Sequence, residues 1–172
     1  MAEDSASYAL YELLKAIASA DDAATLRLLA ASPALARTAL KTGATRAAAT
    51  EYYLGEIGHY AYAGDTALHI AAAAYRPDLV LRLVNLGADV SAKNRRGAEP
   101  LHYAADGQPG SPRWNPLAQA ETVARLIASG ADPNAVDRGG VTPLHRAVRT
   151  RCAAAVGALL QGGADARREN AN

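Results

Sequence analysis

Apolar residues recur along this chain at the three- and four-residue intervals of a helix. Leu79, Val80, Leu83 and Val84 line one such face. Thr122, Val123, Leu126 and Ile127 take the same places further on, and Ala155, Val156, Leu159 and Leu160 take them again. Ahead of each of these helices stands a shorter apolar stripe, opening on Leu68, Leu101 or Leu144. Thr66 and Thr142 precede two of the short stripes, where a hydroxyl can accept from a free helical N–H. Pro100 and Pro143 fall at the first helical position, where a missing N–H costs nothing. Glu99 replaces Thr in the second unit and Ala67 replaces Pro in the first. A carboxylate still favours a helix N-terminus, so neither change disturbs the pattern. Gly87, Gly130 and Gly163 end the long stripes, which predicts a left-handed residue just past each helix. The chain therefore reads as all-α, built from helix pairs.

The spacing of these units is regular. His69 and His102 are 33 residues apart, as are Gly130 and Gly163. His102 to His145 and Gly87 to Gly130 are both 43. The second unit thus carries ten extra residues, within 106–117, where Gly and Pro are dense. A period of 33, a TPLH-like opening and a GAD-like close resemble the ankyrin repeat, over residues 64–172. That resemblance implies a solenoid of helix–turn–helix units joined by hairpin-like turns and stacked side by side. The units are expected at 64–97, 98–140 and 141–172.

Residues 1–63 depart from the period. Tyr8, Leu10, Leu13, Leu14 and Ile17 mark one helix. Leu26, Leu28 and Leu29 mark a second, after a turn at Asp21 and Asp22. The pair is expected to be a degenerate first repeat capping the array, since terminal repeats must turn one face to water. The link from Ser32 to Ala63 is long for a compact domain. Short helices are expected at 34–40 and 46–53, beside the aromatic cluster of Tyr52, Tyr53, Tyr60 and Tyr62. At the other end, Asn170-Ala171-Asn172 stops one residue short of the glycine that opens a next unit. The last repeat is expected to be uncapped. This end is read as a truncated array or one that packs on a partner, a second copy included.

Composition changes this picture little. The chain has 43 alanines among 172 residues, which favours closely packed helices, and no Phe. The formal net charge of +1 provides no global field to steer the molecule to nucleic acid. No run of about 18 apolar residues suggests a membrane span, and MAEDSAS is unlike a signal peptide. A single cysteine permits no internal disulfide, and a cytoplasmic location is expected.

The residues that could carry chemistry read mostly as structural. His69, His102 and His145 share one register, so they are laid out along the array rather than converging on one point. The resemblance implies that they hydrogen-bond within the turn. His59 reads as a loop residue and Cys152 as a small packed one, with no zinc-ligand spacing nearby. The pairs Glu3-Asp4 and Asp21-Asp22 read as solvated or capping charge. Gly139-Gly140 lacks the lysine of a phosphate loop. No catalytic residue, metal ligand or cofactor is expected.

Recognition is the better reading. The resemblance implies that turn tips and the outward face of the short helices bind another protein. In that register lie Tyr62, Asp65, Arg95, Arg96, Arg138 and Val141 at the tips. Ile70, Tyr103, Arg146 and Arg149 lie on the short helices. Tyrosine and arginine combine apolar area with directed polar groups and are enriched at binding hot spots. The guanidinium fork suits carboxylate, so an acidic partner surface is expected. Trp114 sits in the insertion, as either an anchor or a pin for its own loop. The main reading is an adaptor, and the alternative is an inhibitor that blocks an enzyme with the Trp114 loop.

Overall fold

The computed structural model describes residues 2–111 and 113–170, with side chains from residue 7 onward. The Glu3-Asp4 side chains, Pro112 and the closing Ala171-Asn172 lie outside what is described. Eight α-helices occur among the described residues. α1 (Ala2–Ala18) and α2 (Asp22–Ala31) form an antiparallel pair. Asp21 caps α2 by accepting from the Ala24 N–H at 2.9 Å. Leu10, Leu13, Leu14 and Ile17 are fully buried, whereas Tyr8 is 68% exposed and stands off the stripe.

Three helix pairs follow: α3 (Ala67–Ala73) with α4 (Pro77–Asn85), α5 (Pro100–Ala105) with α6 (Pro116–Ala128), and α7 (Pro143–Arg149) with α8 (Ala153–Gln161). α1 and the short helices α3, α5 and α7 form one row, each packed on the next, and α4, α6 and α8 form a second row behind them. The expected caps are present at Thr66, Glu99 and Thr142. Gly87, Gly130 and Gly163 have φ of 89°, 101° and 93°, conformations that favour a residue without Cβ. The core is one continuous layer of Leu, Val, Ile and Ala between the rows, and Leu159 of α8 is fully buried in it. Leu160 and Val148 remain exposed on the last pair.

The link before α3 differs from the helices expected there. It has a 3₁₀ turn at Pro33–Arg37, another at Thr50–Tyr52, and a small antiparallel hairpin. The hairpin joins β1 (Tyr53–Leu54) to β2 (His59–Tyr60), with Tyr53 opposite Tyr60. The segment ahead of the hairpin is tied to the chain that leads into the first turn tip. Leu40 N–H donates to Asp65 at 2.8 Å, and Ala44 N–H donates to Ala61 at 2.7 Å. Backbone pairing with a neighbouring segment thus outweighs the helical preference of the local alanines.

Candidate binding site

The turn tips stack through the backbone. Arg95 N–H donates to Ala63 at 2.7 Å, and Arg138 N–H donates to Arg96 at 2.9 Å. Asn94 and Asp137 close their own tips from inside. Asn94 Oδ1 accepts from the N–H groups of Arg96 and Ala98, and Asp137 Oδ1 accepts from those of Gly139 and Val141. This local bonding is why the chain turns there, and it leaves the intervening arginines pointing outward. Arg95, Arg96 and Arg138 are exposed, and none is ion-paired to a carboxylate among the described residues. Arg95 and Arg96 both lie over the Tyr62 ring, 5.2 and 5.3 Å from its centroid.

The histidines join one pair to the next. In each unit the N-cap N–H donates to the imidazole Nδ1, at 3.2 Å for His69 and 3.1 Å for His102 and His145. Nδ1 is therefore an acceptor, and Nε2 carries the proton. Nε2–H donates to Ala98, Val141 and Arg168 carbonyls at 3.1, 3.1 and 2.9 Å. Burial holds the pKa of His69 below that of free imidazole and brings His102 down to about 4. Their role is structural, and they do not converge.

Between the tips and the hairpin lies an open groove of about 550 Å³. His59 and Tyr60 of the hairpin form one wall. Arg96, Arg138 and Val141 form the opposite side, with Arg149 at the edge. The floor is polar and its charges are paired, although the buried Arg146 Nε has no hydrogen-bond partner among the described residues. Arg146 donates to Asp106 at 2.7 Å and to Asp137 at 2.8 Å. Burial disfavours its charge, but the two carboxylates outweigh that and raise its pKa. Asp137 is likewise pushed up by burial, yet the Arg146 bond and its backbone donors hold it below the usual carboxylate range. Asp65 accepts from Tyr103 and Asn94 at 2.9 Å, and Tyr103 stacks on His59 with centroids 4.3 Å apart. Burial and the Asp65 charge push the Tyr103 hydroxyl well up.

The residues singled out from sequence thus divide. Tyr62, Arg96, Arg138, Val141 and Arg149 meet at the groove, and Arg95 stands beside Tyr62. The expected exposure of Asp65, Ile70, Tyr103 and Arg146 is corrected, since all four are buried. The short helices at these positions are covered by the hairpin and by their neighbours, so of these four only Tyr103 and Arg146 line the groove. Trp114 is half-buried and donates through its indole N–H to Gln119 at 2.9 Å, which pins its own loop. His59, Tyr60, Asp106 and Asp137 belong to the groove but were not singled out for it. Asn94 and Asp137 are 43 residues apart, the interval of the lengthened unit, and that register was the available signal.

Among the described residues no group of three or more His, Cys, Asp or Glu side chains is gathered that could hold a metal. No described helix is long and apolar enough to cross a membrane. The model of the single ankyrin repeat matches residues 63–95 and 139–171, and that of ankyrin repeats in many copies matches residues 118–151. The chain is an ankyrin repeat protein. Ankyrin repeats are generally protein–protein interaction modules and are typically non-catalytic. In this ankyrin repeat protein the arginine groove lies where the tips and short helices meet the added hairpin.

Proposed function

We propose that this ankyrin repeat protein is a cytoplasmic adaptor that binds an acidic segment of a partner protein in the groove. The observation that carries this reading is the set of exposed arginines at successive tips. Arg95, Arg96 and Arg138 have no carboxylate partner among the described residues, while the carboxylates of the groove floor are already paired with Arg146. The guanidiniums of Arg95 and Arg96 are held close together on the Tyr62 ring, so an incoming carboxylate gains charge-assisted bonds and relieves their mutual repulsion. The inhibitor reading has less support, because Trp114 is turned inward and its loop is tied down.

Charge reversal is the test. Arg95→Glu, Arg96→Glu and Arg138→Glu together should weaken capture of an acidic partner by a factor of about 100, whereas Arg27→Glu with Arg82→Glu should change it less than threefold. Affinities would be read by fluorescence anisotropy with a labelled tetraglutamate peptide and then with partners captured from the native host. Equal losses in the two sets would remove the groove from consideration.

A further inference from the structure

The groove does not end at the hairpin. A second hollow of about 210 Å³ shares His59, Tyr103 and Asp106 with it and runs beside the hairpin toward the insertion. A third, of about 400 Å³, shares Ile57, Ala73, Tyr75 and Gln108 with the second. Polarity changes along this line. The tip end carries Arg96 and Arg138, which have no carboxylate partner among the described residues, and Arg149, which shares Asp106 with Arg146. At the insertion end Ile17 and Ala73 are buried floor residues and Ile57 and Trp114 form half-buried walls, with Glu56, Arg76 and Arg113 also in the lining. Between the two ends stands Gln108, whose amide donates to the Ile57 and Gly58 carbonyls at 3.3 and 3.4 Å. These bonds are at the long limit for N–H···O, so an incoming backbone can replace them at little cost.

The geometry points to one bipartite track, which takes an extended segment of a protein partner bearing acidic residues at one end and an aliphatic side chain at the other. The inference rests on the groove reading above and adds the second determinant. Carboxylates meet Arg96, Arg138 and Arg149. The aliphatic side chain enters the hollow walled by Ile57 and Trp114, where it leaves water. Gln108 turns from the hairpin carbonyls to the backbone that crosses between the two ends. Neither end alone specifies the partner: the arginines accept any acid, and the hollow between Ile57 and Trp114 accepts any aliphatic side chain of suitable volume.

The full chain with its single tryptophan supplies its own reporter, since Trp114 walls the apolar hollow. Three labelled peptides would be titrated: tetraglutamate, a leucine pair alone, and tetraglutamate joined to a leucine pair by Gly-Ser spacers of graded length. Burial of one leucine should make the best joined peptide about tenfold tighter than tetraglutamate. Only the joined peptide should shift Trp114 emission to the blue at matched concentrations. Ala74→Leu, which fills the hollow, should cancel the gain and leave tetraglutamate binding within about twofold, a bound set well below the effect sought. Ser111→Leu, at the rim, is the second variant if the first unfolds. If tetraglutamate binds through the arginines but no spacer improves on it, the bipartite track is wrong and the groove reading stands. If tetraglutamate binding ignores Arg96→Glu and Arg138→Glu, the groove reading fails and the track fails with it.

Discussion

His102 shows how one side chain serves two units at once. It accepts from its own N-cap N–H and donates to the next tip, a pairing open only to neutral imidazole. Its pKa falls from about 6.5 in the unfolded chain to about 4 in the fold, through burial first and the Arg146 charge second. The unfolded chain therefore takes up the proton first. Stability from this site is complete above pH 6.5 and is lost progressively as pH falls toward 4 and below, by at most roughly 3 kcal/mol. Chemical denaturation of the native chain and of His102→Ala should show this: the variant is less stable at pH 7, and its stability declines less between pH 6.5 and 4. Parallel profiles would show that other groups carry the acid sensitivity. The in-register His was readable from sequence, but its neutral state was not, because that depends on burial beneath the next unit and on the Arg146 charge which that unit brings up.

The two segments that depart from the 33-residue period are partners of one another. Gln108 of the insertion bonds the hairpin turn, and Arg113 donates to the Glu56 carbonyl at 2.7 Å. Gly58 in that turn has φ of 60°, and a Cβ there would meet the Gln108 amide at 2.6 Å. On the other side the Tyr11 hydroxyl donates to the Glu51 carbonyl. Removing the loop side chains should loosen the hairpin while the helices persist. In Gln108→Ala with Arg113→Ala, amide exchange across residues 53–60 should accelerate at least about tenfold, one to two hydrogen bonds' worth, with global stability lowered by about 1 kcal/mol or less. Unchanged exchange would mean that Leu54 and Ile57 packing alone holds the hairpin. Sequence marked both segments as exceptions. It placed helices in the first because alanines there favour them, while the deciding bonds run to residues 61–65 and to the insertion.

Across the whole molecule, stability is a chain of contacts between neighbouring units. Arg146 is a strong link in that chain, since it reaches from α7 to Asp106 at the end of α5 and to Asp137 in the tip between them. Truncating it leaves Asp137 without its cation and Asp106 with only the longer contact to the exposed Arg149, at 3.4 Å. Arg146→Ala should cost about 3 kcal/mol, against less than about 1 kcal/mol for the exposed Arg149→Ala. The loss should be uneven: exchange protection should fall in α7 and α8 far more than in α1 and α2, as measured by hydrogen exchange with mass spectrometry. A uniform loss would mean that the array opens only as one body.

The helix pairs, their caps, the closing glycines and the ankyrin family were all present in the sequence, because each depends on contacts within about 33 residues that recur in register. Exposure at the short-helix positions was not. Tyr103 and Arg146 share a register in which sequence alone places outward-facing residues. The hairpin closes over Tyr103, and Asp106 and Asp137 draw Arg146 inward. The groove is likewise a product of tertiary structure, since its walls come from a link and a turn that no local period relates. Side-chain periodicity determines which face of a helix is apolar. Whether that face meets water, a neighbour or a returning loop depends on packing between segments far apart in the chain.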